Sequence, residues 1–400
     1  MGYWGYGVEY MLKFMALSRD LLGEDLYHHD WWMNTARYRL YLALPRNAWT
    51  RQGSVVDIAD CPRSNWYGPD YMLRALAHEF QDGQAQWLAD QVDQSKTSSP
   101  EATWLGLLWY DPDVKPVPPT GLPTLRHFTD MDIVSTRTGW SGNESLLVFK
   151  CGPYIGHKGV HEFSFDPGGG HVHPDANHFV LFGDGEWLIR DDGYRAKSTA
   201  QHNTLLVDGQ GQTGEGSMWF NGASMLKPAA EPRVQTAHST PAIDTIAGDA
   251  TAAYPVGAGL KRYVRHLLFL KPDVLIVADD IETTRDADLE LRFHPEQQKA
   301  DQDGAALLFR GRTSLLRLET LAPDGATTAA GVLAGVGRDG EAPLSLYTVQ
   351  LKTHAHRWRT ATALSWSAAA GTPPHVTLET NGSRWTFTAA GRSVTLEWEK

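Results

Sequence analysis

Four hundred residues exceed one ordinary hydrophobic core and point to two domains, with room for a small third one. A hydrophobic content of 42% excludes a disordered chain, and a formal net charge of -11 argues against a nucleic-acid partner, which draws on a basic excess. No apolar run reaches the length of a membrane-spanning helix, and two cysteines, Cys61 and Cys151, are too few for a disulfide framework.

The opening MGYWGYGVEYMLKFMALSRDLLGED has no basic region followed by an apolar stretch and a small-residue cleavage site. Either the protein is cytoplasmic or the chain is a piece of a longer one whose export signal lies upstream; an aromatic-rich helix starts at residue 3 with no lead-in, so we expect the latter. Apolar residues at Val8, Met11, Leu12, Met15 and Leu22 keep helical spacing. A second helix is predicted from Tyr27 to Leu44, stopped by Pro45. His28, His29 and Asp30 stand at its start, where Asp30 suits a cap. Further helices are predicted over Tyr71–Phe80, Gln84–Val92 and Glu101–Trp109, so residues 1–110 read as a helical domain. Asp111 to Pro123, DPDVKPVPPTGLP, holds five prolines and predicts a stiff linker over 111–125.

From 126 to 400 the pattern changes to short β-rich runs between turn residues. SLLVFK, HFVLF, EWLIR, NTLLV, RHLLFL, DVLIVADDI, LELRFH, LSLYTV, HVTLE, RWTFTA and SVTLEWE are the strands we predict. No βαβ pattern occurs, so the fold class is α+β and multidomain: a helical layer, then a large antiparallel β-sandwich, with a small C-terminal β subdomain allowed for.

The stretch GGGHVHPDANHF, from Gly168 to Phe179, gathers three histidines behind three glycines. On a strand, residues two apart face the same side, so His171 and His173 would point together. EWLIRDDGY brings Asp191 and Asp192, and AQHNTLLVDG brings His202. Two imidazoles and a carboxylate from neighbouring strands suit zinc, with water or substrate as a fourth ligand; hydrogen-bonded polar residues at strand ends would leave the same pattern. The glycines serve a turn or bulge, or let a long substrate pass close to the backbone. They are no phosphate loop, because no Gly-Lys-Ser/Thr follows.

HVHPDANHFVLFGDGEWLIRDDGY and QHNTLLVDGQGQTGEG closely resemble the β-sandwich motif of heparinase II/III-like polysaccharide lyases, a group that includes oligoalginate lyases. YWGYG near the start resembles the aromatic segment of that family's helical toroid, and RTGW at Arg137–Trp140 fits the strand that opens its sheet domain. The resemblance implies a partial (α/α) toroid ahead of an antiparallel β domain, and β-elimination on a uronic-acid polymer. It implies that His171 is the catalytic histidine and that His173, Asp191 and His202 hold a structural zinc. It implies a tyrosine acid or base in the helical domain, matched by Tyr3 with Tyr6 in reserve. The family carries a further helical segment with the residue that neutralises the substrate carboxylate, which again makes us expect a fragment. Relatives are periplasmic or secreted, and a homodimer is kept as an expectation.

Other residues fall around this centre. Asp175 could orient His173, His178 reads as structural, and Arg195 could hold a uronate carboxylate bidentately. Trp66 and Tyr67, beside Asn65, could stack on sugar rings, while Gln210 and Glu215 border the cleft. A lyase for an anionic polysaccharide or oligosaccharide is the leading function. The alternatives are a zinc-dependent hydrolase and a non-catalytic carbohydrate-binding protein of the same fold.

Overall fold

The computed structural model describes residues 2–50, 53–56, 58–61, 70–94, 102–165, 167, 170–190, 193, 197–215, 226–322, 326–334 and 345–399. The chain divides into two units, Met1–Pro123 with Gly139–Asn143, and Thr124–Thr138 with Glu144–Lys400.

The first unit is helical. Its elements are α1 (Gly2–Leu22), α2 (Asp30–Tyr41), α3 (Asp70–Phe80), α4 (Gly83–Gln94) and α5 (Ala102–Trp109). α1 buries Val8, Leu12 and Met15, as the spacing requires, whereas Met11 and Leu22 are exposed. α3 is the central helix: every residue from Asp70 to Ala77 is buried. His29 caps α2, its Nδ1 accepting the Trp31 N–H at 3.1 Å, and Asp30 is the first helical residue. Asp82 caps α4 by accepting the N–H groups of Gln84 and Ala85 at 2.8 and 3.1 Å. The proline-rich stretch is no free spacer. Val114 is buried in the helical core, and the Val117 N–H donates to the Gly83 carbonyl at 2.8 Å. Gly139–Asn143 also belongs to this unit, so RTGW leaves the sheet rather than opening it. Trp140 packs edge-on against Tyr41 at 5.2 Å.

The second unit is almost all β. Its first sheet is antiparallel, in the order β1 (Leu125–Phe128), β2 (Ile133–Arg137), β3 (Leu146–Lys150), β4 (His178–Gly183) and β5 (Glu186–Ile189), with α6 (Gly156–Glu162) between β3 and β4. The second sheet holds β6 (Leu205–Val207), β7 (Arg233–Ser239), β8 (Ile243–Asp249), β9 (Leu260–Leu270), β10 (Val274–Phe293), β11 (Asp301–Asp303), β12 (Ala306–Arg310), β13 (Ser314–Ala322), β14 (Thr327–Ala334) and β15 (Ser345–Ala368). Its main path is β11-β12-β13-β15-β10-β9-β8-β7. A meander of β16 (Val376–Asn381), β17 (Arg384–Ala389) and β18 (Arg392–Glu397) forms the third sheet.

The large sheet is the middle layer. Leu267, Phe269, Leu275 and Val277 face one core, shared with Phe149, Phe179 and Leu181 of the first sheet. Leu268, Leu270, Val274 and Ile276 face a second core, shared with Trp385, Phe387 and Leu396 of the meander. Burial on both faces explains why these strands read as continuous apolar runs rather than alternating ones. Each such side chain contributes about 1.5–3 kcal/mol on leaving water. DVLIVADDI and LELRFH are one strand, β10, which pairs with β9 in its first part and β6 in its last.

Candidate functional site

The histidine-rich stretch lies between β3 and β4, and most of it is not a strand. Gly170 to Asn177 is turn and irregular chain, and β4 begins only at His178. The side-by-side placement expected of His171 and His173 on a strand is therefore absent. Pro174 has no N–H for a ladder, and Asn177 sits at φ 60°, in the left-handed region that a strand excludes. His171 is half-buried in the turn, and His173 is 1% exposed.

His173 meets His202 instead. Its Nδ1 lies 3.1 Å from His202 Nε2, with both rings buried. The other nitrogen of His202, Nδ1, is 2.9 Å from the Ser198 carbonyl oxygen. A carbonyl only accepts, so Nδ1 carries the proton of the neutral ring and Nε2 turns a lone pair toward His173. Ligands on one tetrahedral zinc, at the usual Zn–N lengths, stand ~3.3 Å apart. The pair fits two such positions, and the carbonyl behind His202 is the orienting contact that metal-bound histidines have. Asp191, the third candidate ligand, lies outside the described residues. Among the described residues no group of three or more His, Cys, Asp or Glu side chains forms a metal set.

Each residue of the His-Asn-Thr run has a separate task. Asn203, fully buried, donates from Nδ2 to the carbonyls of Phe179 at 2.8 Å and Arg190 at 3.1 Å, and accepts the His294 N–H at 2.6 Å. It thereby ties the ends of β4 and β5 to β10, and it holds the residue just before Asp191. The backbone N–H of Asn203 donates to His178 Nδ1 at 2.9 Å, the structural use read for His178. Thr204 Oγ1 donates to the Ala176 carbonyl at 2.9 Å.

The loop bearing His173 is held just as firmly. The Gln212 amide brackets Ala176, accepting its N–H and donating to its carbonyl, both at 2.9 Å. Asp175 does not reach the His173 ring; its carboxylate pairs with Lys150 of β3, the two side chains 1% and 5% exposed. Burial alone would raise the Asp175 carboxyl, but the Lys150 ammonium beside it holds it below the usual carboxylate range. Glu215 accepts the N–H groups of Gly211 and Thr199 at 2.8 and 3.0 Å and is a structural brace. A pocket of about 120 Å³ opens beside the pair, lined by Tyr154, Val160, His173, Asp175, Gln212 and Pro228 among others.

A second polar group flanks α6. His127 Nε2 and His157 Nε2 lie 2.6 and 2.7 Å from the two oxygens of Asp132. His157 and His161 each contact one oxygen of Glu231. Burial would lower the His157 pKa, but the two carboxylates carry it above its ordinary value.

Tyr3 and Tyr6 stand on α1 in the helical unit. Tyr3 is half-buried and Tyr6 is 44% exposed, their rings 6.5 Å apart. Arg195, Trp66 and Tyr67 lie outside the described residues. Lys150, Asn203, Gln212 and Arg265 are site-building residues that sequence reasoning missed. Arg265 had one available signal: an arginine inside an apolar strand needs a buried partner.

A family model described as heparinase II/III-like, C-terminal, matches residues 120–399. Among solved structures, heparan sulfate lyase HepC from Pedobacter heparinus aligns at a TM-score of 0.62 and 14% identity, over 91% of this chain and 52% of that one. A heparinase III structure aligns at a TM-score of 0.63 and 11% identity, over 92% of this chain and 54% of that one. The chain therefore spans about half the length of these solved structures. At such identities the likeness is one of fold.

Proposed function

This chain belongs to the heparinase II/III-like family, and from that membership we propose that it is part of a polysaccharide lyase acting on a uronic-acid-containing anionic polysaccharide or oligosaccharide by β-elimination. The observation that carries the reading is the buried pairing of His173 with His202 within the family-matched region. The helical unit is read as the matching portion of an (α/α) toroid, and a periplasmic or secreted location follows the same kinship.

In the proposed reaction a base removes the C5 proton of the uronate. The C5–H electron pair becomes the C4=C5 bond as the C4–O4 bond breaks, and an acid protonates the departing O4. We assign these proton transfers to His171 and Tyr3, with Tyr6 the alternative tyrosine. An unperturbed phenol has a pKa of about 10, so the tyrosine needs positive charge close by. Arg195 is assigned to the uronate carboxylate, and Trp66 and Tyr67 to the sugar faces. His173, Asp191 and His202 would hold zinc, which when bound supplies a structural cross-link between three segments. Asn203 and Gln212 keep the two histidine segments in place, and water is kept from the pair by its burial.

Two measurements on the full chain test this. Incubation with uronate polymers should generate the ultraviolet absorbance of a 4,5-unsaturated uronate, which hydrolysis does not produce. Metal analysis should find zinc in the wild type and none in His173→Ala. Reducing-end release without that absorbance would replace elimination by hydrolysis, and absence of zinc from both proteins would remove the metal assignment.

A further inference from the structure

We propose that the buried Arg265–Asp279 pair is the positioning device of the histidine site, with one guanidinium nitrogen spanning the two chain segments that carry His173 and His202. The proposal rests on the function proposed above only where it invokes zinc.

Arg265 of β9 and Asp279 of β10 are direct cross-strand partners and are 0% and 1% exposed. Arg265 Nε and Nη2 donate to the two carboxylate oxygens at 2.8 and 3.1 Å. The remaining nitrogen, Nη1, donates to the carbonyls of Asn177, at 2.8 Å, and of Asn203. Asn203 directly follows His202, and Asn177 closes the loop that begins at His173. The pair thus lies beneath both segments, and no other side chain described above bonds to the carbonyls of both.

The chemistry asks for arginine. Four hydrogen bonds leave one planar group in fixed directions, two toward the carboxylate and two toward the loops. A lysine ammonium could keep the charge of the pair but has three donors on a flexible stem, and it cannot hold both carboxylate oxygens and both carbonyls. The Asn177 carbonyl is turned toward Arg265 by its left-handed backbone. Its side chain completes the anchor by donating to the Tyr263 carbonyl at 3.3 Å. Arg265 also lies over the rings of Phe179, Tyr263 and Phe293, at 5.7–6.0 Å, which packs it in one place.

The test compares the full-length wild type, Arg265→Lys and a control, Phe387→Leu, whose core faces the meander. All are studied below their unfolding transitions. Carbethoxylation of His173 and His202 in metal-free protein is read by peptide mass spectrometry, and zinc affinity by chelator competition. Arg265→Lys should make both histidines reactive and weaken zinc by on the order of tenfold or more, while Phe387→Leu leaves both readouts at wild-type levels. Wild-type protection and affinity in Arg265→Lys would overturn the proposal, as would equal exposure in the control. Wild type without zinc, together with histidines exposed only in Arg265→Lys, would remove the metal assignment and keep the positioning role. If Arg265→Lys does not fold, Asp279→Asn carries the same comparison.

Discussion

Asp175→Asn isolates the buried charge pair at the loop. The substitution keeps side-chain volume and removes the negative charge from Lys150, whose side chain is 5% exposed. Taking one partner from a buried pair costs about 3–5 kcal/mol, because the other charge stays out of water. For a unit of this size that corresponds to a fall in Tm of roughly 6–20 °C. Lys150→Met should cost a similar amount, since it strands the carboxylate. Combining the two removes both charges, so the double variant should be more stable than the sum of the singles by about 2 kcal/mol or more. Urea and thermal unfolding of the full-length proteins give the cycle. Additivity within about 0.5 kcal/mol would show that the two groups do not act as a pair and would refute the reasoning. The pH dependence provides a sign check. Asp175 has a depressed folded pKa, so its stabilisation is present above the ordinary aspartate value of about 3.9 and is lost as pH falls through the lower folded value. The gap between wild type and Asp175→Asn should therefore narrow on acidification.

Three further outcomes are expected. His157, raised by Asp132 and Glu231 against its burial, stabilises fully below the ordinary histidine value of about 6.5 and loses that contribution as pH rises through its higher folded value; the Tm gap between wild type and His157→Gln should shrink with rising pH, and a constant gap would count against the pairing. Asn203→Ala strands the His294 N–H and takes a donor from the buried Phe179 carbonyl and the partly buried Arg190 carbonyl, so we expect a loss on the order of 3 kcal/mol by urea unfolding; a loss within experimental error would show that other groups satisfy them. Gly248→Ala would put a Cβ 2.5 Å from Asn177 Oδ1 and 2.6 Å from the Phe149 ring, both fully buried, and should cost about 1–3 kcal/mol; an unchanged Tm would show that the Asn177 loop can yield.

Periodicity was enough to find α1, whose apolar stripe of Val8, Leu12 and Met15 faces the helical core, while α3 was legible although it is buried on all sides. The strongest strand signals were legible for the opposite reason: Leu267–Leu270 of β9 and Val274–Val277 of β10 are unbroken apolar runs, being covered on both sides. The hairpin of β7 and β8 escaped notice because β7 is mostly exposed and its sequence, RVQTAHS, has little apolar content. Strand alternation was expected to set His173 beside His171, and the family resemblance to group it with His202; His173 instead lies in irregular chain before β4, where its ring meets that of His202. Lys150, Gln212 and Arg265 lie 23, 39 and 92 residues from His173 along the chain, and only the sheet register and tertiary hydrogen bonds show that they converge. Asp132, His157 and Glu231 likewise meet only through tertiary structure.

A strand with apolar side chains on both faces loses the information that normally sets its alignment. Sliding β9 by one residue against β10 would exchange Leu267 and Phe269 for Leu268 and Leu270, and hydrophobic burial would scarcely distinguish the two arrangements. The buried charges make the distinction. In the native alignment Arg265 stands opposite Asp279 on the side of the histidines, while Asp280 faces the meander and is held by Arg262 and Arg359. A single-residue slip would turn Arg265 toward the meander, away from Asn177 and Asn203, and leave Asp279 buried without its arginine. The same guanidinium therefore acts as a key for strand alignment, and a molecule that pairs its central strands wrongly forfeits the histidine site along with its stability.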